Sequence, residues 1–380
     1  MTIAVAAGLA VFSAFTWAFG SLLFGRALRS VPGGAEPPSA AGANLFKNLL
    51  AALTFAALWP VLGGELPGVP TAAMLLLSGL LGFALGDTLY FAALPRAGVQ
   101  RAAMIGMLNV PVAALLGWGL YGEELPLPTL GWMAVVLAGV ALVVLDSSDG
   151  GGSSDPAVRR AGLLFSLANV GSIALAIVLG HNFIGGIDLV PGTLCRMVGG
   201  ILGAFLVAPI AGFFQRRGPE TVSRQEGMLA EVRRLVHPLR TRTLWRALGI
   251  AAFFSAVLGL LPYHLALEKL PSGVASVLFA TTPLFTLPLG LVMGEKVGWR
   301  AVTGTLIGYG GVFGVVATLG FAPDAPAGSE AQEEARQAQA QVPVLQIGYA
   351  DAVSDRSNRS PIHVCRPPLR KSGRLATSGA

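Results

Sequence analysis

Charge is scarce in this chain. Of its 380 residues only 12% are Asp, Glu, Lys or Arg, while 53% are hydrophobic, and the mean hydropathy is +0.67. A water-soluble domain carries roughly 25% charged residues, so a surface solvated all round is excluded. Cysteine is scarcer still. Cys195, inside an apolar run, and Cys365, near the end, offer neither a disulfide framework nor a metal-ligand spacing. The sequence has no HExxH helix, no GxSxG nucleophile elbow and no glycine-rich phosphate loop. Zinc hydrolysis, serine hydrolysis and nucleotide-driven pumping therefore lack their signatures, and no cofactor or metal is expected. The net charge of +6 does not point to nucleic acid, because eight arginines crowd the single stretch 215–246 with Glu220, Glu226 and Glu231 among them. A loop lying near anionic lipid headgroups accounts for that pattern.

Long apolar runs are what the sequence has instead. Ten of about 20 residues, the length that crosses a hydrocarbon layer of roughly 30 Å, fall at 3–26, 43–63, 70–93, 98–120, 128–146, 160–180, 191–214, 244–267, 271–293 and 299–320. They are rich in Leu, Ala and Gly without period-two alternation, which predicts helices rather than barrel strands. The first run has no basic residues before it and continues through Phe15, Trp17 and Phe19, so it reads as a retained span rather than a cleaved signal. The expected fold class is an all-α polytopic membrane protein of ten transmembrane helices.

The chain also repeats itself about a polar linker, 147–159, that opens with "SSDGGGSSDP". Tyr90, Ala93, Leu94, Pro111, Glu123 and Gly139 answer to Tyr263, Ala266, Leu267, Pro283, Glu295 and Gly311. Proline to glutamate is twelve positions and glutamate to glycine sixteen in both halves, and Lys47 and Pro60 match Arg196 and Pro209 at thirteen. Each half, 1–146 and 160–320, thus holds five helices. Five is odd, so the second half enters the membrane from the opposite side.

Loop charges agree. Of seventeen Lys and Arg in loops before residue 320, sixteen fall in odd-numbered loops and only Lys269 in an even one. The positive-inside rule makes the odd loops cytoplasmic and puts both termini outside. Inverted repeats of this kind mark secondary transporters. Residues 321–380 change to a polar, Ala- and Gln-rich composition and are expected to be a disordered tail.

Two stretches carry a family resemblance. The first is "GDTLYFAALPRAGVQRAAMIGMLNVPVAALLGWGLYGEEL" with "GWMAVVLAGVALVVL"; the second is "YHLALEKLPSGVASVLFATTPLFTLPLGLVMGEKV" with "GTLIGYGGVFGVV". Both resemble the EamA-type branch of the drug/metabolite transporter superfamily. The likeness covers both halves and leaves out the tail. It implies a carrier of small organic solutes in the cell membrane and says almost nothing about which solute. Members of that family commonly have cytoplasmic termini; the loop charges here point the other way.

Candidate site residues follow from polar groups in apolar places. Pro111 and Pro283 sit mid-span in matching helices, and each frees the carbonyl four residues earlier, at Met107 and Phe279. Asn109 and Thr281 lie two residues before each proline, placed either to satisfy the break or to bind a solute. Asp87 is a carboxylate inside a span, at the level of Lys47 and Arg101. It is either fixed in an ion pair with one of them or available for proton or other ion coupling. Tyr90, Tyr263 and His264 near helix ends either mark the interface or gate a cavity. Trp17 and Asn169, in the first helix of each half, line the cavity or pack. Arg196 attracts anions or snorkels. Glu123 and Glu295 recur as braces of short loops. The spacings Gly82/Gly86, Gly304/Gly308 and Gly310/Gly314 suit close helix packing.

The reading that gathers most of this is a secondary transporter, an exporter of a small metabolite or drug, working by alternating access in the plasma or inner membrane. The alternative is a channel or receptor-like protein without coupled transport. An enzyme is disfavoured: an intramembrane aspartyl site at Asp87 would need a second interior carboxylate, and no other span has one.

Overall fold

The computed structural model describes residues 1–31, 34, 36–121, 125–146, 152–184, 187–214, 224–267, 269, 270, 275, 278–295 and 297–320. The expectations for Glu123, for 147–151 of the linker and for the tail lie outside these residues. Among the described residues the structure is helical, without strands. In chain order the helices are α1 (Ile3–Ala27), α2 (Ala40–Leu62), α3 (Val69–Gly79), α4 (Asp87–Ala97), α5 (Val99–Gly106), α6 (Asn109–Tyr121), α7 (Leu127–Val144), α8 (Pro156–Ile184), α9 (Leu189–Phe214), α10 (Arg224–Arg240), α11 (Arg242–Ala252), α12 (Leu258–Leu267), α13 (Thr282–Val292) and α14 (Trp299–Gly320). Two π-helical segments, Leu80–Gly86 and Phe253–Val257, join α3 to α4 and α11 to α12.

Among the described residues nine helices or joined helices are long and apolar enough to cross a membrane, and α13 is a shorter apolar helix. Of the expected span 271–293, residues 271–274, 276 and 277 are outside the described set. Leu53, Leu137, Leu164, Leu202 and Leu306 point outward from the middle of their helices, as a hydrocarbon solvent requires. Helix ends are set by local chemistry. Ser39 caps the Gly42 N–H at 3.0 Å and Asp155 caps Ala157 at 2.8 Å. At Gly98, φ is +91°, a conformation that only glycine adopts without strain, and it turns α4 directly into α5.

The two halves exchange helices. α1, the first helix of one half, packs against α12 and its π-segment in the other; α8 packs against α4 and the first π-segment. α7 pairs with α14, the last helix of each half, through glycine. A Cβ on Gly139 would meet the Gly304 carbonyl at 2.6 Å, and one on Gly311 would meet the Val136 amide at 2.6 Å. Gly310 has open space around it, whereas a Cβ on Gly314 would run into the Trp132 ring, so the glycines that pack here are Gly304, Gly308, Gly311 and Gly314.

Loop contacts group the odd-numbered loops together. Arg29 pairs with Glu295 at 3.3 Å, and Arg26 donates to the Met293 carbonyl. Ser39 donates to the Arg234 carbonyl at 3.3 Å, and Ser153 N–H to the Arg96 carbonyl at 2.9 Å. Even loops meet each other: Glu65 N–H donates to Asp188 at 2.7 Å. Among the described residues, Arg26, Arg29, Arg96 and Arg234 of the odd loops take part in these contacts. Burial lifts the Glu295 carboxyl above the usual carboxylate range, against the opposing pull of Arg29 and Arg26.

The stretch 215–246, expected to be a loop, contains α10. Its arginines mask an apolar edge in the sequence. Leu235 is buried against Leu45, Ala204 and Ala208, while Arg233, Arg234 and Arg240 stay exposed.

Candidate functional site

The same backbone defect occurs in both halves. In an α-helix each N–H returns four residues; in a π-segment it returns five and leaves nearby carbonyls under-used. The Asp87 N–H reaches the Gly82 carbonyl, and the Leu258 N–H reaches that of Phe253. The two segments, Leu80–Gly86 and Phe253–Val257, begin at matching places before Tyr90 and Tyr263. Each is met, within the segment or immediately after it, by the first helix of the other half. Asn169 donates to the Gly86 carbonyl at 2.9 Å and Ser172 to that of Leu81 at 2.6 Å. Thr16 donates to the Leu258 carbonyl at 2.9 Å, and Ser13 to that of Gly259. Asn169 thus has a definite job, and Ser13, Thr16 and Ser172 share it. Sequence reasoning missed these three. For two of them the signal was present, since "FSAFT" at 12–16 and "FSLAN" at 165–169 align Ser13 with Ser166 and Thr16 with Asn169; Ser172 has no polar counterpart.

Just beyond the first π-segment is a buried charge cluster. Lys47 forms an ion pair with Asp87 Oδ2, and the two side chains are 1% and 6% exposed. Of the two partners open to Asp87, Lys47 is the one the fold selects. Arg101 turns away, donating to the carbonyls of Ala97 at 3.2 Å and Asp146 at 2.5 Å. The Lys47 ammonium lies 5.6–6.0 Å from the ring centroids of Phe91, Phe83 and Trp17, a distance at which ring quadrupoles favour a cation. Arg196, its counterpart in the second half, stacks on Phe83 at 4.7 Å.

From Trp17 the cluster continues across the halves. Trp17 meets Phe279 at 6.1 Å, Phe279 meets Tyr263 at 5.1 Å, and Tyr263 meets His264 at 6.1 Å. Tyr90 is 6% exposed and packs with Phe24 and Phe91, so it is a core residue rather than an interfacial marker. His264 Nδ1 is buried without a hydrogen-bond partner. Trp17, Lys47, Asp87, Tyr90, Arg196, Tyr263 and His264 therefore belong to one neighbourhood.

The proline breaks form a second neighbourhood. Met107 and Leu108 separate α5 from α6, and they share an apolar core with Val136, Val170 and Leu287, against which Ala280 packs. The carbonyls expected to be freed are engaged. That of Met107 accepts the Val110 N–H at 3.3 Å, and that of Phe279 accepts the Thr282 hydroxyl at 2.7 Å. The Thr281 hydroxyl is returned to Leu278 at 2.6 Å. Pro283 is buried at the start of α13. Asn109 differs: its Oδ1 is buried with no partner among the described residues. Beside the breaks, Gln100 links α5 to α14 through Thr305 at 3.0 Å and to α13 through Thr286. No candidate signal had pointed to Gln100.

Comparison with known proteins agrees with this architecture. The model of the EamA-like transporter family matches residues 4–145 and 160–317. The chain belongs to that family. It is similar to a protein described as an uncharacterized transporter from Archaeoglobus fulgidus, 26% identical over 300 residues, covering 78% of this chain and 92% of that one. A solved structure described only as the crystal structure of a protein aligns with 83% of this chain and 96% of its own, at 18% identity and a TM-score of 0.45. This EamA-like transporter is thus a multi-pass membrane protein with two related halves, and its partners are a solute and the lipid bilayer.

Proposed function

We propose that this transporter is a secondary carrier of the cell membrane that exports a small organic solute by alternating access, with the odd-numbered loops in the cytoplasm. The observation that carries the reading is the exchange of first helices between the halves. Each half closes the π-segment of the other, so a movement of one half against the other must pass through the Trp17–Lys47–Asp87 cluster. Inverted-repeat carriers place their sites at such a repeat interface. Trp17, Tyr90, Tyr263 and His264 would meet the solute from the cluster. Asn109, Pro111, Thr281 and Pro283 would do so from the broken helices. Lys47 and Asp87 form a fixed pair beside it, or a coupling pair if a proton or another ion drives export, and Arg101 secures the cytoplasmic rim. Without a nucleotide loop, exchange or an ion gradient must supply the energy.

The test is counterflow in vesicles reconstituted with the purified chain, using the solute that a toxicity and uptake screen of overproducing cells identifies. A carrier gives saturable flux that an unlabelled pool on the far side accelerates; flux that rises linearly and ignores the far side is that of a channel. Asn109→Ala should weaken solute affinity with insertion unchanged. Pro111→Ala should slow exchange more than it alters affinity.

A further inference from the structure

The central cluster is symmetric in its cations and asymmetric in its acids. Lys47 and Arg196 hold matching places in the second helix of each half, and Phe83 carries both, with Lys47 Nζ 5.7 Å and Arg196 Cζ 4.7 Å from its centroid. Asp87 is committed to Lys47. In the second half the position matching Asp87 is Leu260, which packs with Ala256 and Met197. Among the described residues no carboxylate lies within salt-bridge distance of Arg196, and its Nε is buried with no acceptor. The cluster therefore carries one positive charge in excess, on a guanidinium, inside a span. Buried or intramembrane cations are ordinarily matched by an acid or by backbone carbonyls.

The geometry points to Arg196 as the anchor for an anionic group on the solute: the carrier takes a monovalent organic anion, a carboxylate with an apolar body. A guanidinium presents a planar fork that binds a carboxylate with two parallel hydrogen bonds. The rings of Phe83, Trp17, Phe279 and Tyr263 continue from it and suit the apolar body. His264 lies beside Tyr263 at the far end of this row of rings. The Lys47–Asp87 pair, neutral as a unit, leaves the sign of the site to Arg196. This assignment rests on the carrier reading and gives it a substrate class.

Three probes with one body and different charge test it: phenylacetate, 2-phenylethanol and phenethylamine, each titrated against the purified full chain in lipid nanodiscs and followed by tryptophan fluorescence and thermal stability. Phenylacetate is expected to bind saturably and at least about tenfold more tightly than the alcohol, the equivalent of one tenfold step in Kd, with no saturable binding of the amine. Arg196→Gln should lower the affinity for the acid by about tenfold or more while leaving the melting temperature of the unliganded protein unchanged or raised. If Arg196→Gln does not insert, Arg196→Lys carries the test. It keeps the charge and loses the fork, so affinity for the acid should fall with no gain for the amine. Binding of the amine equal to or tighter than that of the acid overturns the assignment. So does an Arg-independent affinity for the acid, or no saturable response to it. Counterflow of the amine alone would leave a carrier and remove only this assignment. Arg196-dependent binding of the acid without counterflow would remove the carrier reading and leave the anion site.

Discussion

The third and eighth spans have the same backbone and different chemistry. Both interrupt their helix with a π-segment at matching places, and both have that segment closed by polar side chains from the first helix of the opposite half. In the third span the segment leads into Asp87, which holds Lys47; in the eighth the matching position is Leu260. The duplicated halves have therefore kept the features that position helices and changed the feature that sets charge. A hydrogen-bond defect in hydrocarbon must be satisfied from somewhere, because an unmet backbone group there costs several kcal/mol, and so its partners persist in both copies. A carboxylate is required only where a cation is to be neutralised.

Breaking the asymmetric part should have the largest effect. Asp87→Asn leaves Lys47 uncompensated, and breaking a buried pair typically costs about 3–5 kcal/mol. Adding Lys47→Met should recover much of that, measured as detergent-solubilised thermal or denaturant stability of the single and double variants. A double variant no more stable than the single would mean that the pair is not what holds this region.

The shared part can be tested at its simplest contact, the packing of α7 on α14. Gly139→Val would drive a side chain into the backbone of Gly304 and Gly308, and overpacking of this kind costs about 1–3 kcal/mol. Gly310→Val, in open space, should cost little, and disulfide crosslinking of cysteines placed across α7 and α14 would report the separation. Somewhat smaller effects are expected from the paired caps. Thr16→Val and Asn169→Leu each leave a carbonyl at the end of a π-segment without its donor, for about 1–2 kcal/mol apiece. If the halves are equivalent frames, the two losses should be alike within about a factor of two, whereas a large difference would confine the equivalence to the sequence.

The smallest effect concerns the brace between the first and ninth loops. Glu295 has its carboxyl raised by burial, so the folded state holds that proton more tightly than the unfolded chain. The stabilisation from protonation is fully present below the ordinary carboxylate pKa and is lost as pH rises through the raised one. Glu295→Gln should remove this dependence. The melting temperature of the parent, relative to the variant, should fall as pH rises above the ordinary carboxylate range. A difference that grows toward neutral pH in favour of the parent would mean that the Arg29 contact outweighs burial.

Much of this protein was legible in its sequence. Low charge, ten apolar runs, paired Tyr, Pro, Glu and Gly landmarks and a charge bias between loops were enough to predict the membrane class, the duplication and the family. They depend on solvent and on period, both of which are written locally along the chain. Asp87 could be recognised as a buried acid, but not its choice of Lys47 over Arg101, because all three lie at one level and only helix rotation decides which side chains meet. The same limit applied to Met107 and Phe279, whose carbonyls the prolines free and local turns re-engage, and to α10, whose arginines hide an apolar edge. The π-segments, their cross-half donors and the stacking of Lys47 and Arg196 on Phe83 were settled only by tertiary structure. They join residues from helices far apart in sequence, and no local pattern encodes which carbonyl a distant hydroxyl or amide will reach.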